Sequence, residues 1–113
     1  MTPSSVTPRN VRRLYLSGPI TGTIGGNRAA FEDVRGALEA VGFTVVTPFD
    51  VNGADTDWDR CMARDLAALT QCDGMAQLDD WPHSRGARIE NHHAFRQGKP
   101  VAHWRVWERE GAH

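Results

Sequence analysis

The segment from Ser84 to Glu90 combines a helix start with a carboxylate that faces inward. Ser84 stands where a helix N-cap belongs, and Gly86 lets a ligand approach the backbone amides of the first turn. Two turns into this helix, Glu90 shares a face with the small residues Ala87 and Ala94, so its side chain is expected to point at a sheet rather than at water. A carboxylate that faces inward beneath an anion-binding helix start is unusual, so this segment predicts a functional site.

A second carboxylate, Asp65, falls inside the apolar stripe of another predicted helix. Met62, Leu66 and Leu69 lie at i, i+4 and i+7 and define this stripe, and Asp65 lies at i+3. A charged side chain at such a position is costly unless it is paired or protonated. Asp65 lies about as far below its helix start as Glu90 lies below its own, so both are expected under the same rim. A buried Asp that bonds a backbone amide or an arginine is the structural alternative.

A glycine-rich loop, residues 17–27, connects the first predicted strand to the first predicted helix. Strand, glycine-rich turn and helix form a phosphate-cradling arrangement, because free amides and the helix dipole face the ligand. The loop is not a P-loop, since no Lys-Ser/Thr pair follows it and GxGxxG is absent, and a plain tight connection is the alternative. Tyr15, near the end of the strand, offers a neutral hydroxyl that can hold a carboxylate without changing the charge balance.

The run Glu90-Asn91-His92-His93 places a glutamate and a histidine at the i, i+3 spacing of some metal ligands. Di-metal sites in helical bundles need two such copies, and the chain has one. We therefore expect no metal and no cofactor. His92 and His93 are interpreted as helix-surface residues or as pH-sensitive contacts near the site.

Aromatic and cationic side chains flank the predicted site. Trp58 and Trp81 lie at borders between loops and regular elements, where an indole either stacks on a flat ring or packs for stability. Arg85 is expected to pair with an anion, with a solvated helix position as the alternative. Trp104 and Trp107 are interpreted as core or interface residues that alternate on the last strand.

Strands and helices alternate along the chain. Buried strands are predicted at 14–16, 43–46, 75–78 and 101–106, helices at 27–41, 58–71 and 84–97, and a polar loop at 48–57. This alternation is typical of an α/β fold with a parallel sheet covered on both faces. In such sheets ligands bind at the carboxyl edge, where the strand order reverses. Residues 1–12 are interpreted as a loose tail and residues 13–113 as a single domain.

Composition argues against several classes of protein. The chain has 113 residues, of which 40% are hydrophobic and 24% charged, and a net charge of −1, which fits one globular domain. Without a basic block, a nucleic-acid-binding surface is not indicated. No apolar run approaches the roughly 18 residues of a membrane span and no signal-peptide pattern occurs at the start, so we expect a cytoplasmic protein with no membrane partner.

Three groups of residues, taken in order, resemble a small family that is frequent in phages and prophages and is similar to a compact branch of the nucleoside 2-deoxyribosyltransferase superfamily. They are Tyr15-Leu16-Ser17-Gly18-Pro19-Ile20-Thr21-Gly22, then Trp58, Met62, Asp65-Leu66 and Cys72-Asp73, then Trp81, Ser84-Arg85-Gly86-Ala87 and Glu90. The similarity extends from about Leu14 to Val101. It implies a Rossmann-like, flavodoxin-type three-layer sandwich with a small, mainly parallel four-stranded sheet, and cleavage of an N-glycosidic bond.

The resemblance also implies roles for individual residues. Glu90 would be the nucleophile at the anomeric carbon of the sugar. Asp65 would assist by hydrogen bonding or by protonating the departing base, and Tyr15 would orient Glu90. The glycine loop would wrap the sugar and any 5′ group. The residues expected to bind substrate are Ser17, Gly18, Pro19, Ile20, Thr21, Gly22, Asn27, Trp81, Ser84, Arg85 and Gly86.

One position separates the branches that the chain resembles. Six residues before the nucleophile, nucleoside transferases tend to have Asp, whereas 2′-deoxynucleoside 5′-monophosphate N-hydrolases have Ser, and this chain has Ser84. A neutral hydroxyl at a helix N-terminus accepts a phosphate dianion that an Asp would repel. The resemblance at this position therefore favours the monophosphate hydrolases.

The expected activity is hydrolysis of the N-glycosidic bond of (deoxy)nucleoside 5′-monophosphates by double displacement on a glutamate, with release of the free base. The alternatives are a nucleoside 2-deoxyribosyltransferase, a non-catalytic nucleotide-binding or sensing module, and a structural phage or host-interaction protein. The expected partners are a small nucleoside or nucleotide and further copies of the chain in a homodimer or larger homo-oligomer, because relatives share sites across subunits.

Overall fold

A computed structural model of the chain describes residues 7, 8 and 10–113. Four short strands alternate with helices, and single 3₁₀ turns occur at Ile24–Asn27 and Trp81–His83. The elements are β1 (Arg13–Ser17), α1 (Arg28–Ala40), β2 (Thr44–Val46), α2 (Pro48–Asn52), α3 (Trp58–Thr70), β3 (Gly74–Gln77), α4 (Arg85–Arg96), β4 (Val101–His103) and α5 (Trp104–Glu110).

The four strands form one parallel sheet in the order β2-β1-β3-β4. In the register of this sheet Leu14 of β1 lies between Val45 of β2 and Gly74 of β3. The chain reverses its direction of winding between β1 and β3, and the carboxyl ends of these two strands therefore open a crevice. The prediction of a Rossmann-like, flavodoxin-type α/β fold is confirmed.

Alternation along β1 divides the core into two layers. Leu14 and Leu16 face one cluster, to which α1 contributes Phe31 and α5 contributes Trp107. Tyr15 faces the opposite cluster, which lies under α3 and α4. Because the period of a strand is two, Tyr15 is brought to the same side of the sheet as the helices that carry Asp65 and Glu90.

The predicted polar loop at 48–57 is wrong over its first half, because residues 48–52 form α2. Thr47 caps this helix: its hydroxyl accepts from the Asp50 amide, and the Asp50 carboxylate accepts from the Thr47 amide. Pro48 occupies the first turn, where its missing N–H costs nothing. The run Thr47-Pro48-Phe49-Asp50 is typical of a capped helix start, but the polar, turn-forming residues that follow it favoured the prediction of a loop.

The predicted strand at 101–106 is also too long. β4 ends at His103, and α5 begins at Trp104. Trp104 and Trp107 are therefore not alternating strand residues. Trp107 is buried in the core, and its indole donates to the Met75 carbonyl at 2.9 Å, so α5 covers the sheet as an additional helix.

The start of α1 follows the prediction, but without the expected cap. Asn27 precedes α1 in a left-handed conformation (φ 64°), and its side chain makes no capping hydrogen bond. The left-handed region is one that Asn tolerates better than most residues, so Asn27 serves the turn rather than the helix amides.

The loose tail predicted for residues 1–12 falls in part on residues 1–6 and 9, which lie outside the described residues. Thr7 and Val11 are buried, and the Thr7 hydroxyl donates to the Glu110 carboxylate at 2.8 Å. These two positions are thus attached to the domain. Among the described residues, no helix combines the length and apolar character that crossing a bilayer requires.

Candidate active site

A cleft of about 600 Å³ opens at the carboxyl edge of the sheet. Its walls are the loop after β1, helix α2 with the loop that follows it, and the first turns of α3 and α4. Asp65 and Glu90 both line it, although each is almost inaccessible to solvent, with 4% and 3% of its surface exposed. The two carboxylates that the sequence placed on different helices therefore meet in one cleft.

Glu90 is held by two hydroxyl donors from β1. The Tyr15 hydroxyl donates to Oε2 of Glu90 at 2.7 Å, and the Ser17 hydroxyl donates to Oε1 at 2.7 Å. Tyr15 and Ser17 lie two residues apart on β1 and so face the same side of the sheet. With both oxygens engaged, the carboxyl group of Glu90 is fixed in orientation while it still lines the cleft.

Asp65 is held from the opposite side by α2. The Asn52 side-chain amide donates to Oδ1 of Asp65 at 2.8 Å. The carboxyls of Asp65 and Glu90 also interact directly with each other, so that each influences the protonation of the other. We call Asp65 and Glu90 the carboxyl pair.

Burial and mutual repulsion govern the protonation of the carboxyl pair. Burial, reinforced by the charge of Asp65, raises the pKa of Glu90 to about 8. Burial likewise raises the pKa of Asp65, against the opposing effect of the hydrogen bond from Asn52. Burial and the neighbouring carboxyls raise the pKa of Tyr15 well above its usual value, so it remains a neutral donor. Glu90 therefore keeps its proton near neutral pH.

The proton that Glu90 retains predicts a pH-dependent stability. The folded chain keeps a proton on Glu90 between its usual pKa of 4.5 and about 8, whereas the unfolded chain releases it. Because the folded state then binds more protons, the free energy of unfolding is expected to fall as the pH rises through this interval, by at most about 1.4 kcal/mol per pH unit. Urea unfolding at a series of pH values measures this slope.

Glu90→Gln is the variant that isolates this effect, because an amide is shaped like the protonated carboxyl and does not titrate. We expect this variant to lose most of the slope, and Glu39→Gln, at an exposed position on α1, to keep it. An unchanged slope in Glu90→Gln would show that Glu90 is not the group that retains the proton.

The first turn of α4 borders the cleft next to the carboxyl pair. Ser84 is the N-cap, and its hydroxyl oxygen accepts from the Ala87 amide at 3.2 Å. Since a helix leaves its first amides without intrahelical acceptors, the amides of Arg85 and Gly86 are available at this end. A side chain at Gly86 would begin 3.3 Å from the Met62 sulfur, so the glycine also keeps α3 close.

Arg85 and Trp58 meet across the mouth of the cleft. The Arg85 guanidinium lies over the Trp58 indole, 4.4 Å from the ring centroid, and both residues line the cleft. This cation–π contact joins the starts of α3 and α4. It places one positive charge and one aromatic face where a ligand would enter.

The glycine loop divides its residues between two cavities. Gly18, Ile20 and Thr21 line the cleft. Gly18 is required for close approach, since a Cβ there would lie 2.6 Å from the Leu78 Cβ. By contrast, Pro19 and Asn27 line a second cavity of about 370 Å³ on the other side of the loop.

Two further residues expected to bind substrate lie outside the cleft wall. Gly22 is exposed in a turn with φ 80°, and Trp81 belongs to the 3₁₀ turn before α4. Neither is among the residues that line the cleft. Ser17 differs from both, because it contacts Glu90 beneath the cleft floor rather than the open space.

Residues of α2 and the loop after it were absent from the sequence-based site. Phe49, Asn52 and Asp55 all line the cleft. Asp55 accepts from Arg60 at 2.9 Å and from Arg64 at 2.8 Å, and the Arg60 hydrogen bond is the first cause that holds the pKa of Asp55 far below its usual range. This carboxylate is thus already paired with two arginines of α3 and fastens the loop to that helix.

The histidines of α4 point away from the carboxyl pair. His92 is exposed, and Nε2 of His93 lies 3.1 Å from the Thr70 hydroxyl. Glu90 and His93 therefore do not share a ligand site despite their spacing. In the part of the chain that the structure describes, no three His, Cys, Asp or Glu side chains form a group suited to a metal ion.

Comparison with known proteins places the chain in a family. The structure of Clostridium botulinum CMP N-glycosidase, BcmB, is similar to this chain with a TM-score of 0.57 and 22% sequence identity, over 89% of this chain and 83% of that one. At this identity the likeness concerns the fold. No curated protein matches the chain. The family described as "Domain of unknown function (DUF4406)" matches residues 12–103, and the chain belongs to this family.

Proposed function

We propose that this protein hydrolyses the N-glycosidic bond of nucleoside 5′-monophosphates, ribo- or deoxyribo-, with Glu90 as nucleophile. The observation that carries this proposal is the carboxyl pair: two buried carboxyls, Asp65 and Glu90, line one nucleotide-sized cleft, and burial raises the pKa of both. Glycosidic cleavage requires one carboxylate to attack and one acid to protonate the leaving group. A pair with one proton supplies both.

The chemistry proceeds in two balanced steps. In the first, the proton of the pair moves to Asp65, Glu90 attacks the anomeric carbon, and the carbon–nitrogen bond breaks with its electrons passing to the base. The base takes the proton from Asp65, leaving a sugar ester on Glu90. In the second, water attacks the anomeric carbon and gives a proton to Asp65, while the bond between this carbon and the Glu90 oxygen breaks with its electrons returning to the carboxylate; this restores the pair and releases the sugar phosphate.

The spacing of the two carboxyls favours double displacement over direct attack by water. Inverting glycosidases hold their carboxyls about 6.5–9.5 Å apart to leave room for a water on the far face of the sugar. Asp65 and Glu90 instead interact directly with each other, which is closer than the separation of an inverting pair.

The start of α4 supports a phosphate on the substrate. Ser84 places a neutral hydroxyl at the N-terminus of a 12-residue helix, beside the Arg85 and Gly86 amides. Helix N-termini of this kind bind phosphate through backbone N–H groups and the helix dipole. The Arg85 guanidinium adds a positive charge within reach of the same end of the cleft.

With phosphate at α4 and the sugar above Glu90, the base would lie toward α2 and α3. Phe49, Trp58 and Met62 line this part of the cleft and offer apolar and aromatic surface for a flat ring. The related structure from Clostridium botulinum is described as a CMP N-glycosidase, which agrees with a nucleotide substrate for this fold.

An assay of base release tests the proposed function. The protein is incubated with CMP, dCMP, other nucleoside 5′-monophosphates and the matching nucleosides, and free base is followed by chromatography. We expect release from at least one monophosphate, faster than from its nucleoside. Saturable binding of nucleotide without any free base would indicate a binding module instead, and base exchange without hydrolysis would indicate a transferase.

Ser84→Asp tests the phosphate assignment. We expect this variant to raise KM for the preferred monophosphate by about 10- to 100-fold, because a carboxylate repels the phosphate dianion, while KM for the matching nucleoside changes little. Ser84→Asn is the matched control, since Asn and Asp are equally good N-caps and only Asp adds charge. An equal loss for both substrates in Ser84→Asp would contradict the phosphate assignment.

A further inference from the structure

We infer that Asn52 is a positioning residue for the carboxyl pair: its amide keeps Oδ1 of Asp65 an acceptor and so directs the shared proton away from this oxygen, toward Glu90. The catalytic consequence of this contact rests on the proposed function, whereas the contact and its effect on the proton do not. Asn52 was absent from the sequence-based site, and it ends the short helix α2 that the sequence-based prediction missed.

The orientation of the Asn52 amide is fixed by the two hydrogen bonds that its Nδ2 donates. Nδ2 donates to Oδ1 of Asp65 at 2.8 Å and to the Pro48 carbonyl at 2.9 Å. Both partners are acceptors, so a reversed amide would set its oxygen against a carbonyl and a carboxylate. The Asn52 oxygen is buried and has no hydrogen-bond partner among the described residues. A buried oxygen is left unsatisfied only where another contact outweighs its cost, and here that contact is the bond to Asp65.

The helix that presents Asn52 is itself tightly held. Thr47 and Asp50 cap α2 reciprocally, and Nη2 of Arg35 on α1 donates to the Thr47 hydroxyl at 3.2 Å and to the Asp50 carboxylate. A one-and-a-half-turn helix is not stable alone. Its capping box and the arginine together hold the far end of α2, so that Asn52 reaches Asp65 from a fixed direction.

Within the described part of the chain, no cation takes over the role of this amide. The titratable groups around Asp65 are Glu90 from α4, Tyr15 from β1, and Cys61 and Arg64 from its own helix. Tyr15 directs its hydroxyl proton to Glu90. Burial raises the pKa of the Cys61 thiol, which therefore stays neutral. The Arg64 guanidinium pairs with the Asp55 carboxylate in the loop before α3, at 2.8 Å. Of the side-chain hydrogen bonds that favour the ionised form of Asp65, the one from the Asn52 amide has the largest effect, ahead of those with Glu90 and Tyr15.

This arrangement matters for the first catalytic step. With Oδ1 occupied by an N–H, Asp65 accepts the proton from Glu90 on its other oxygen and passes it to the departing base. Without the amide, Asp65 would bind a proton more tightly and donate it less readily. The doubly protonated pair, in which Glu90 cannot attack, would also persist to higher pH.

Asn52→Leu removes the donor at nearly constant volume, and Asn52→Asp replaces it with an acceptor that carries charge. The readout is a titration of ¹³C-labelled Asp and Glu carboxyls by NMR without substrate, with resonances assigned through Asp65→Asn and Glu90→Gln. We expect the Asp65 midpoint to rise by about one to two pH units in Asn52→Leu and further in Asn52→Asp, where a like charge is added. Asn10→Leu is the control, because Asn10 is exposed and does not line the cleft.

Activity provides a second readout. We expect Asn52→Leu to shift the acidic limb of the kcat profile upward by about one to two pH units, with little change in KM. An Asp65 midpoint that stays in place in either folded variant overturns the inference. Failure of the wild-type protein to release base would instead overturn the proposed function, and the NMR result would still stand or fall by itself.

Discussion

Glu90→Gln is expected to abolish base release, with kcat at least about 10⁴-fold below that of the wild-type protein. The amide oxygen is a poor nucleophile and cannot form the sugar ester. The fold should persist, because Gln has the shape of the protonated Glu90 that the buried site already favours, and it can accept from Tyr15 or Ser17. The variant therefore separates chemistry from structure.

Binding measurements complete the test of Glu90. The variant is expected to bind the monophosphate with an affinity close to that of the wild-type protein, since the phosphate contacts at α4 are untouched. Glu39→Gln, an exposed position on α1, serves as the control and should turn over normally. Base release by Glu90→Gln at a rate near that of the wild type would remove Glu90 from the mechanism.

Asp65→Asn is expected to slow base release by about 10²- to 10⁴-fold, the range associated with loss of a general acid. The loss should depend on the leaving group. A substrate that leaves as a stable anion, such as a 4-nitrophenyl glycoside 5-phosphate, needs no proton and should lose far less. A uniform loss across both kinds of leaving group would show that Asp65 supports the fold or the sugar rather than the base.

The pH dependence of kcat should follow the ionisation of the carboxyl pair. The pair works with one proton, and burial raises the pKa of Glu90 to about 8, so kcat in the wild-type protein is expected to decline above about pH 8. For the 4-nitrophenyl substrate, which needs no acid, this alkaline decline should be much weaker. Steady-state rates between pH 5 and 10 on both substrates measure the difference.

The carboxyl pair could be predicted from the sequence because helical periodicity determines which side chains face inward. Asp65 falls between apolar residues of its stripe, and Glu90 shares a face with Ala87 and Ala94, and the structure buries both carboxylates. The alternation of strand and helix likewise predicted the parallel sheet, whose strand order brings Tyr15 beneath both helices. Helices of 12 or 13 residues repeat their apolar positions often enough for the buried face to be read from the sequence.

Short elements carried less information. α2 spans Pro48–Asn52 and β4 spans Val101–His103, lengths at which periodicity cannot separate a helix from a loop or a strand from the helix after it. Asn52, the hydrogen-bond partner of Asp65, could therefore not be predicted, because it reaches Asp65 only from a helix that is placed by tertiary contacts. The residues that line the cleft could not be fully predicted either, since Pro19 and Asn27 face a different cavity from Ile20 and Thr21 on the same loop.

Covalent trapping tests the central claim most directly. A monophosphate whose sugar carries fluorine at the 2-position destabilises the charge that develops at the anomeric carbon, and the sugar ester should then accumulate. Mass spectrometry of the digested protein is predicted to show the fluorinated sugar phosphate on the peptide that contains Glu90, and none in Glu90→Gln. Base release with the sugar attached to a different residue, or an adduct that persists in Glu90→Gln, would contradict the assignment of Glu90 as the nucleophile.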